Sequence, residues 1–372
     1  MTPRILIAFG TRPELIKLAP VIIEIKRYPK DFKPLLLATA QHRGLLDQML
    51  SIFSLTPDID LNLMQPNQSL DRLTSRVMLR VSKVLKETAP DLVMVQGDTT
   101  TAMVVALAAF YLKIPVAHVE AGLRTLNRYQ PFPEEINRRL ISALATLHFA
   151  PTKKAVANLR NEGIPPRSVV LTGNTVVDAL LSMKPRIDEH ALPVKIPPDR
   201  RLILVTAHRR ESFGQPLVHI CQALRRLVSA FPDIEIVYPV HPNPNVRQTV
   251  FSLLARAPRL HLLGPLPYLD LLALMNRAWL ILTDSGGIQE EAPTFHKPVL
   301  VLRQVTERPE GIEAGVARLV GTDTKKIVAS AAQLLRSRSA YQKMTRAQNP
   351  YGDGRASQRI VRYLRRYFSS LP

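Results

Sequence analysis

The chain has 372 residues, 46% of them hydrophobic and 22% charged, enough to build two domains of ordinary size, each with its own core. With 50 Lys and Arg against 30 Asp and Glu, the net charge is +20, which favours anionic partners without choosing between a phosphate-bearing small molecule and a nucleic acid. No stretch reaches the roughly 18 apolar residues of a membrane span and the start lacks a signal-peptide pattern, so a cytoplasmic protein without membrane association is expected, and the single Cys221 excludes an internal disulfide.

The first apolar run, residues 5–9, is short and continuous, as in a strand covered on both faces. It leads into GTRPELIKLAP, where Leu15, Leu18 and Ile22 recur at helical spacing and Thr11 and Glu14 have capping-box spacing, so a helix is expected to start at Thr11. Its first turn offers backbone N–H groups, with Arg12 and Lys17 beside them: a place for a phosphate, or two ordinary solvated helix charges. Further β-rich runs at 34–37, 92–96, 116–119, 147–150 and 169–171 alternate with helical patterns, including a buried helix at 102–112. The rhythm restarts at 202–206 and continues through 234–240, 260–263, 279–283, 299–302 and 319–321. This is the βαβ pattern of two parallel sheets, with ligands expected where strand C-termini face each other. Residues 184–200, with four prolines and mixed charge, read as a linker. The boundaries expected are residues 1–180 and 181–354, with a basic amphipathic helix at 355–372 returning to the first domain.

Chemistry should then sit in loops after strands. GDTTTAM places Asp98 behind a glycine turn, EAGLRT places Glu120 at a strand end, and NRYQPFPEEINRR approaches Glu134 through Pro131 and Pro133. Each acid alone is as well read as a cap or a surface charge, but three such loops together point to acid/base chemistry. In the second half, AHRRESFG places His208, Arg209, Arg210 and Glu211 at a strand end. TDSGGIQEEA is a Gly-rich turn entering a helix, where Ser285, Gly286 and Gly287 bring N–H groups to a phosphate and Glu291 accepts ribose hydroxyls. There is no Walker loop, no G-x-G-x-x-G, no G-x-S-x-G and no metal-ligand spacing, so neither a metal nor a cofactor is expected.

These segments, together with QHRGLLDQML, TGNTVVDAL, VYPVHPNPNVR, KPVLVLR, TERPEG and NPYGDGRAS, resemble the non-hydrolysing UDP-N-acetylglucosamine 2-epimerases of bacteria, in order over residues 10 to 357. The resemblance implies an α/β fold of two Rossmann-like domains facing a central cleft (GT-B type), a homodimer, and reversible interconversion of UDP-GlcNAc and UDP-ManNAc. It implies that Arg12, Lys17, His208, Ser285, Gly286, Gly287, Glu291 and Arg308 hold the uridine diphosphate, and that Asp98, Glu120 and Glu134, with His208 beside the leaving group, carry the catalysis. Some members have a second, activating UDP-GlcNAc site, which Gln41, Glu134, Arg209 and His241 match. Gly44 and Asn67 replace a Gln and an Arg of that site, so non-cooperative kinetics are expected. Leu126 stands where the family has glycine, Gln130 where it has serine, and Gln304-Val305 where it has Asp-Thr. The competing readings are a 2-epimerase acting on a UDP-diacetamido-glucuronic acid, a GT-B glycosyltransferase, and a nucleic-acid-binding protein, the last disfavoured by basic residues spread along the chain.

Overall fold

The computed structural model describes residues 2–39, 43–63 and 68–370. The chain divides into two compact units, residues 1–179 with 351–372, and residues 180–350. Each is built around one parallel sheet.

In the first unit, β1 (Arg4–Phe9), β2 (Lys33–Ala38), β3 (Ile59–Asp60), β4 (Leu92–Gln96), β5 (Val116–Val119), β6 (Leu147–Ala150) and β7 (Val169–Leu171) form a sheet in the order β3-β2-β1-β4-β5-β6-β7. Strand interiors are apolar on both faces because helices cover both; Ile5, Leu6, Ile7 and Val93 are fully buried. The helix Leu70–Thr88 turns Leu73, Val77, Val81 and Val84 inward at spacings of four and three, against Leu6, Val93 and Val95. Each such burial contributes about 1.5–3 kcal/mol. The closing helix Ala356–Ser369 belongs to this unit, with Ile360, Val361 and Leu364 buried and Arg362 exposed. Asp178 caps it, accepting the backbone N–H groups of Ala356 at 3.1 Å and Ser357 at 2.8 Å.

The second unit repeats the plan with β8 (Arg201–Thr206), β9 (Ile234–Pro239), β10 (Leu260–Leu263), β11 (Leu280–Thr283), β12 (Val299–Val301) and β13 (Ala317–Leu319), in the order β10-β9-β8-β11-β12-β13. Ile203, Val205 and Leu282 pack with Leu217, Ile220 and Leu224 of the helix Gln215–Ala230. Cys221 lies in this core, where desolvation pushes its thiol up to about 12.

Strand order reverses direction between β1 and β4 in one unit and between β8 and β11 in the other. These are the switch points at which loops leaving the strand C-termini diverge and open a crevice. The register aligns Gln96 with Val119 and Thr283 with Thr206, so the loops after those strands leave one edge of each sheet together.

Residues 184–200 do not form a linker throughout. The helix Thr175–Glu189 runs on through Pro185, held by the buried Met183 and Ile187 and by an ion pair from Lys184 to Asp188 one turn on. Packing on both sides of the proline outweighs the one hydrogen bond it removes. Among the described residues, no helix is long and apolar enough to cross a membrane.

Candidate active site

Thr11 caps the helix Arg12–Lys26, as its spacing to Glu14 requires. The Glu14 carboxylate accepts the backbone N–H groups of Thr11 at 2.7 Å and Gly10 at 3.0 Å, and its other oxygen accepts the Thr99 hydroxyl at 2.7 Å. The N–H groups of Gly10 and Thr11, just before the helix, are therefore taken by the chain's own acid. Burial raises the Glu14 carboxyl above its ordinary value, and the hydrogen bonds from Thr99, Thr11 and Gly10 act against that rise. Arg12 stands half-buried at the helix start, whereas Lys17 turns inward and pairs with Glu120.

Glu120 follows β5 with φ +65°, in the left-handed region. For a non-glycine residue this costs about 1–2 kcal/mol. Its buried carboxylate accepts Lys17 Nζ, Gln96 Nε2 and, at 3.4 Å, Asn174 Nδ2. One strand away, Gly97 turns at φ +71°, and its carbonyl lies 2.7 Å from Nε2 of the buried His118. Desolvation holds the His118 imidazole down at about 3, so the ring is neutral and donates Nε2–H to that carbonyl. The turn delivers Asp98, whose Oδ2 accepts Arg138 Nε at 2.9 Å and Nη2 at 2.6 Å. Asn137 Nδ2 donates to the Asp98 carbonyl at 2.9 Å. Glu134 opens the helix Glu134–Leu144, three and four residues before Asn137 and Arg138, and so shares the helix face that is tied to Asp98. Both Gln130-Pro131 and Phe132-Pro133 bonds ahead of it are cis. The first unit thus assembles Lys17, Asp98 and Glu120 at one sheet edge, with the Glu134 helix fastened to it.

In the second unit, the loops after β8 and β11 are joined by Asp284, which has no exposed surface. Its Oδ2 accepts the backbone N–H groups of His208 at 2.7 Å and Arg209 at 2.8 Å, while Oδ1 lies 3.3 Å from His208 Nδ1. The His208 ring stacks on His241 with centroids 5.5 Å apart. Desolvation lowers the His208 imidazole from its ordinary value, Asp284 opposes this, and Arg209 and His241 reinforce it. Ser285 donates its backbone N–H to the Thr283 hydroxyl at 2.9 Å and caps the short helix Gly286–Glu291. A Cβ on Gly286 would lie 3.8 Å from Arg209 Nη2 and 3.9 Å from Arg308 Cζ, so two guanidinium groups converge on the Gly-rich turn. Gly287 stands next in that turn, with the Ser285 hydroxyl 3.9 Å from its Cβ position. Arg308 is fixed by Glu290, and Glu291 accepts the Tyr268 hydroxyl at 3.0 Å. Gln41 lies outside the described residues.

Sequence reasoning passed over Gln96, Asn174, Arg138 and Asp284. A signal existed for two of them: Gln96 ends an apolar strand with an amide, and Asp284 stands directly behind β11.

The sequence profile of UDP-N-acetylglucosamine 2-epimerase matches residues 24–365. The UDP-N-acetylglucosamine 2-epimerase of Salmonella typhimurium is 50% identical over 376 residues, covering 99% of this chain and 100% of the relative. The crystal structure of UDP-GlcNAc 2-epimerase from Neisseria meningitidis bound to UDP-GlcNAc superposes with a TM-score of 0.90 at 47% identity, covering 97% of this chain and 99% of that one. The enzyme of Methanocaldococcus jannaschii, in complex with UDP-GlcNAc and UDP, gives a TM-score of 0.81 at 33% identity, covering 97% and 99%. With the profile spanning most of its length and relatives matching end to end, the chain belongs to the UDP-N-acetylglucosamine 2-epimerase family.

Proposed function

We propose that the protein interconverts UDP-GlcNAc and UDP-ManNAc by reversible inversion at C2. The C2 proton has no neighbouring ketone to acidify it, so direct abstraction is costly. Breaking the C1–O bond first sends its electron pair to UDP and leaves an oxocarbenium-like centre next to C2. A carboxylate then takes the C2 proton, the C–H pair forms the C1=C2 bond, and a glycal and UDP result. Delivery of a proton to the opposite face of C2, with return of the UDP oxygen to C1, completes the inversion. Asp98, Glu120 and Glu134 supply the acid/base groups. Lys17 pairs with Glu120 in this set.

Arg12, Lys17, His208, Ser285, Gly286, Gly287, Glu291 and Arg308 are assigned to the uridine diphosphate. The approach of Arg209 and Arg308 to Gly286 supports an anion there, since a departing diphosphate gains one negative charge. The observation that carries the reading is Glu120 itself: a buried acid in a left-handed backbone conformation, clamped by three donors beside Asp98. Proton NMR of the anomeric signals, with EDTA present, tests it. Starting from either sugar nucleotide, the same mixture of the two is expected; accumulation of free sugar and UDP, or no change, would refute the assignment.

The active form is proposed to be a homodimer. Leu79, Phe110, Tyr111 and Leu140 are exposed on the helix Thr100–Tyr111 and on the two helices that pack against it, Leu70–Thr88 and Glu134–Leu144, apolar surface of the kind that pairs with a second copy.

A further inference from the structure

The two oxygens of Asp284 have different surroundings. Oδ2 is saturated by the His208 and Arg209 backbone N–H groups, with the Ser212 hydroxyl at 3.4 Å. Oδ1 is buried, accepts no hydrogen bond, and stands 3.3 Å from His208 Nδ1. The far side of that ring is not enclosed, since the side chain keeps 36% of its surface exposed. We propose that Asp284 is a positioning residue acting through His208, holding the imidazole with Nδ1 protonated and Nε2 directed to the diphosphate of the UDP-sugar. The inference rests on the assignment of His208 to the diphosphate.

The chemistry follows from donor and acceptor inventories. An ionised carboxylate only accepts, so the nitrogen facing it carries the proton, and Nε2 becomes the atom whose protonation varies. Protonated at Nε2, the ring donates a hydrogen bond to a phosphate oxygen as the C1–O electron pair moves onto UDP. Among the described residues, three groups from three loops face the ring: Asp284 after β11, Arg209 after β8, and His241 after β9. Arg209 and His241 disfavour the imidazolium and Asp284 favours it, so the aspartate offsets the cost of charging the ring when the leaving group needs it.

The test is Asp284→Asn in the full-length protein, with the ¹⁵N-labelled His208 ring followed by NMR. The asparagine oxygen can still accept the two backbone N–H groups, but its NH₂ would face Nδ1 and donate to it. The expected result is a switch of the neutral ring from the Nδ1–H to the Nε2–H form, a lower pH midpoint for the ring, and a loss in kcat on the order of 10²-fold. An unchanged ring form and midpoint would overturn the proposal. If Asp284→Asn does not fold, the wild-type ring decides: Nδ1–H supports the assignment and Nε2–H overturns it. In a His208→Gln background, Asp284→Asn should cost little further kcat; a full, additive loss would show that the aspartate does not act through the histidine. Undiminished turnover in His208→Gln alone would instead remove the reading of His208 on which the inference stands, a failure distinct from a wrong ring form.

Discussion

At the scale of single residues, Glu120 is the centre of the proposed chemistry. Its backbone is strained and its carboxylate is held by Lys17, Gln96 and Asn174, so it is fixed before any substrate arrives. Glu120→Gln keeps the shape and removes the carboxylate. Turnover should fall by roughly 10²-fold or more with UDP affinity nearly unchanged; steady-state rates and calorimetric titration with UDP measure both, and undiminished turnover would exclude Glu120 from the proton transfer. Beneath it, the buried His118 is neutral in the folded protein because desolvation holds it down at about 3 rather than 6.5. The unfolded chain binds a proton at this histidine below pH 6.5 and the native state does so only near pH 3, so its effect on stability worsens as pH falls between those values. His118→Gln should therefore destabilise the protein at pH 7 by losing its bond to Gly97, and that gap should shrink by pH 4. Urea unfolding at the two pH values measures it; an equal gap at both would contradict the assignment.

At the scale of elements, both units use the same device at their switch point: a buried acid joins the loop after the first strand to the loop after its neighbour across the reversal. Glu14 links Gly10 and Thr11 to Thr99, and Asp284 links His208 and Arg209 to β11. The loop after β5 shows how much backbone conformation matters there. Gly122 has φ +91°, and a Cβ would lie 2.3 Å from the Ala155 carbonyl oxygen. Leu126 has φ +64° but is 78% exposed, so it carries the backbone strain without the clash. Gly122→Ala should cost about 3 kcal/mol or more, whereas Leu126→Gly should gain about 0.5–1 kcal/mol, relief of strain outweighing glycine's entropy. Thermal unfolding distinguishes them, and a destabilised Leu126→Gly would show the position to be unstrained. The glycine expected at 126 from family resemblance is thus explained by backbone geometry. The capping box was legible because its residues are three apart, and the strands were legible because apolar runs end in turn residues. The partners of Glu120 and Asp98 were not, since Asn174 and Arg138 reach them from 54 and 40 residues away. The proline-rich 184–200 stretch misled because composition does not reveal that Met183 and Ile187 anchor a helix through Pro185.

At the scale of the whole molecule, each unit is a parallel sheet whose strand order reverses once, the first presenting Asp98 and Glu120 and the second Arg209, Arg308 and a Gly-rich turn. The apolar face on the first unit gives the oligomer prediction: the wild type should be dimeric by light scattering, and Phe110→Asp combined with Tyr111→Asp should be monomeric. A monomeric wild type, or a variant that remains dimeric, would contradict the proposed interface. The claim on which the proposed mechanism turns is that C2 inverts by losing its proton and taking another from solvent. Proton NMR of UDP-GlcNAc incubated with the enzyme in D2O tests it most directly. Deuterium is expected at C2 of both sugars as UDP-ManNAc appears, whereas UDP-ManNAc formed with its C2 proton retained would contradict the proposed mechanism.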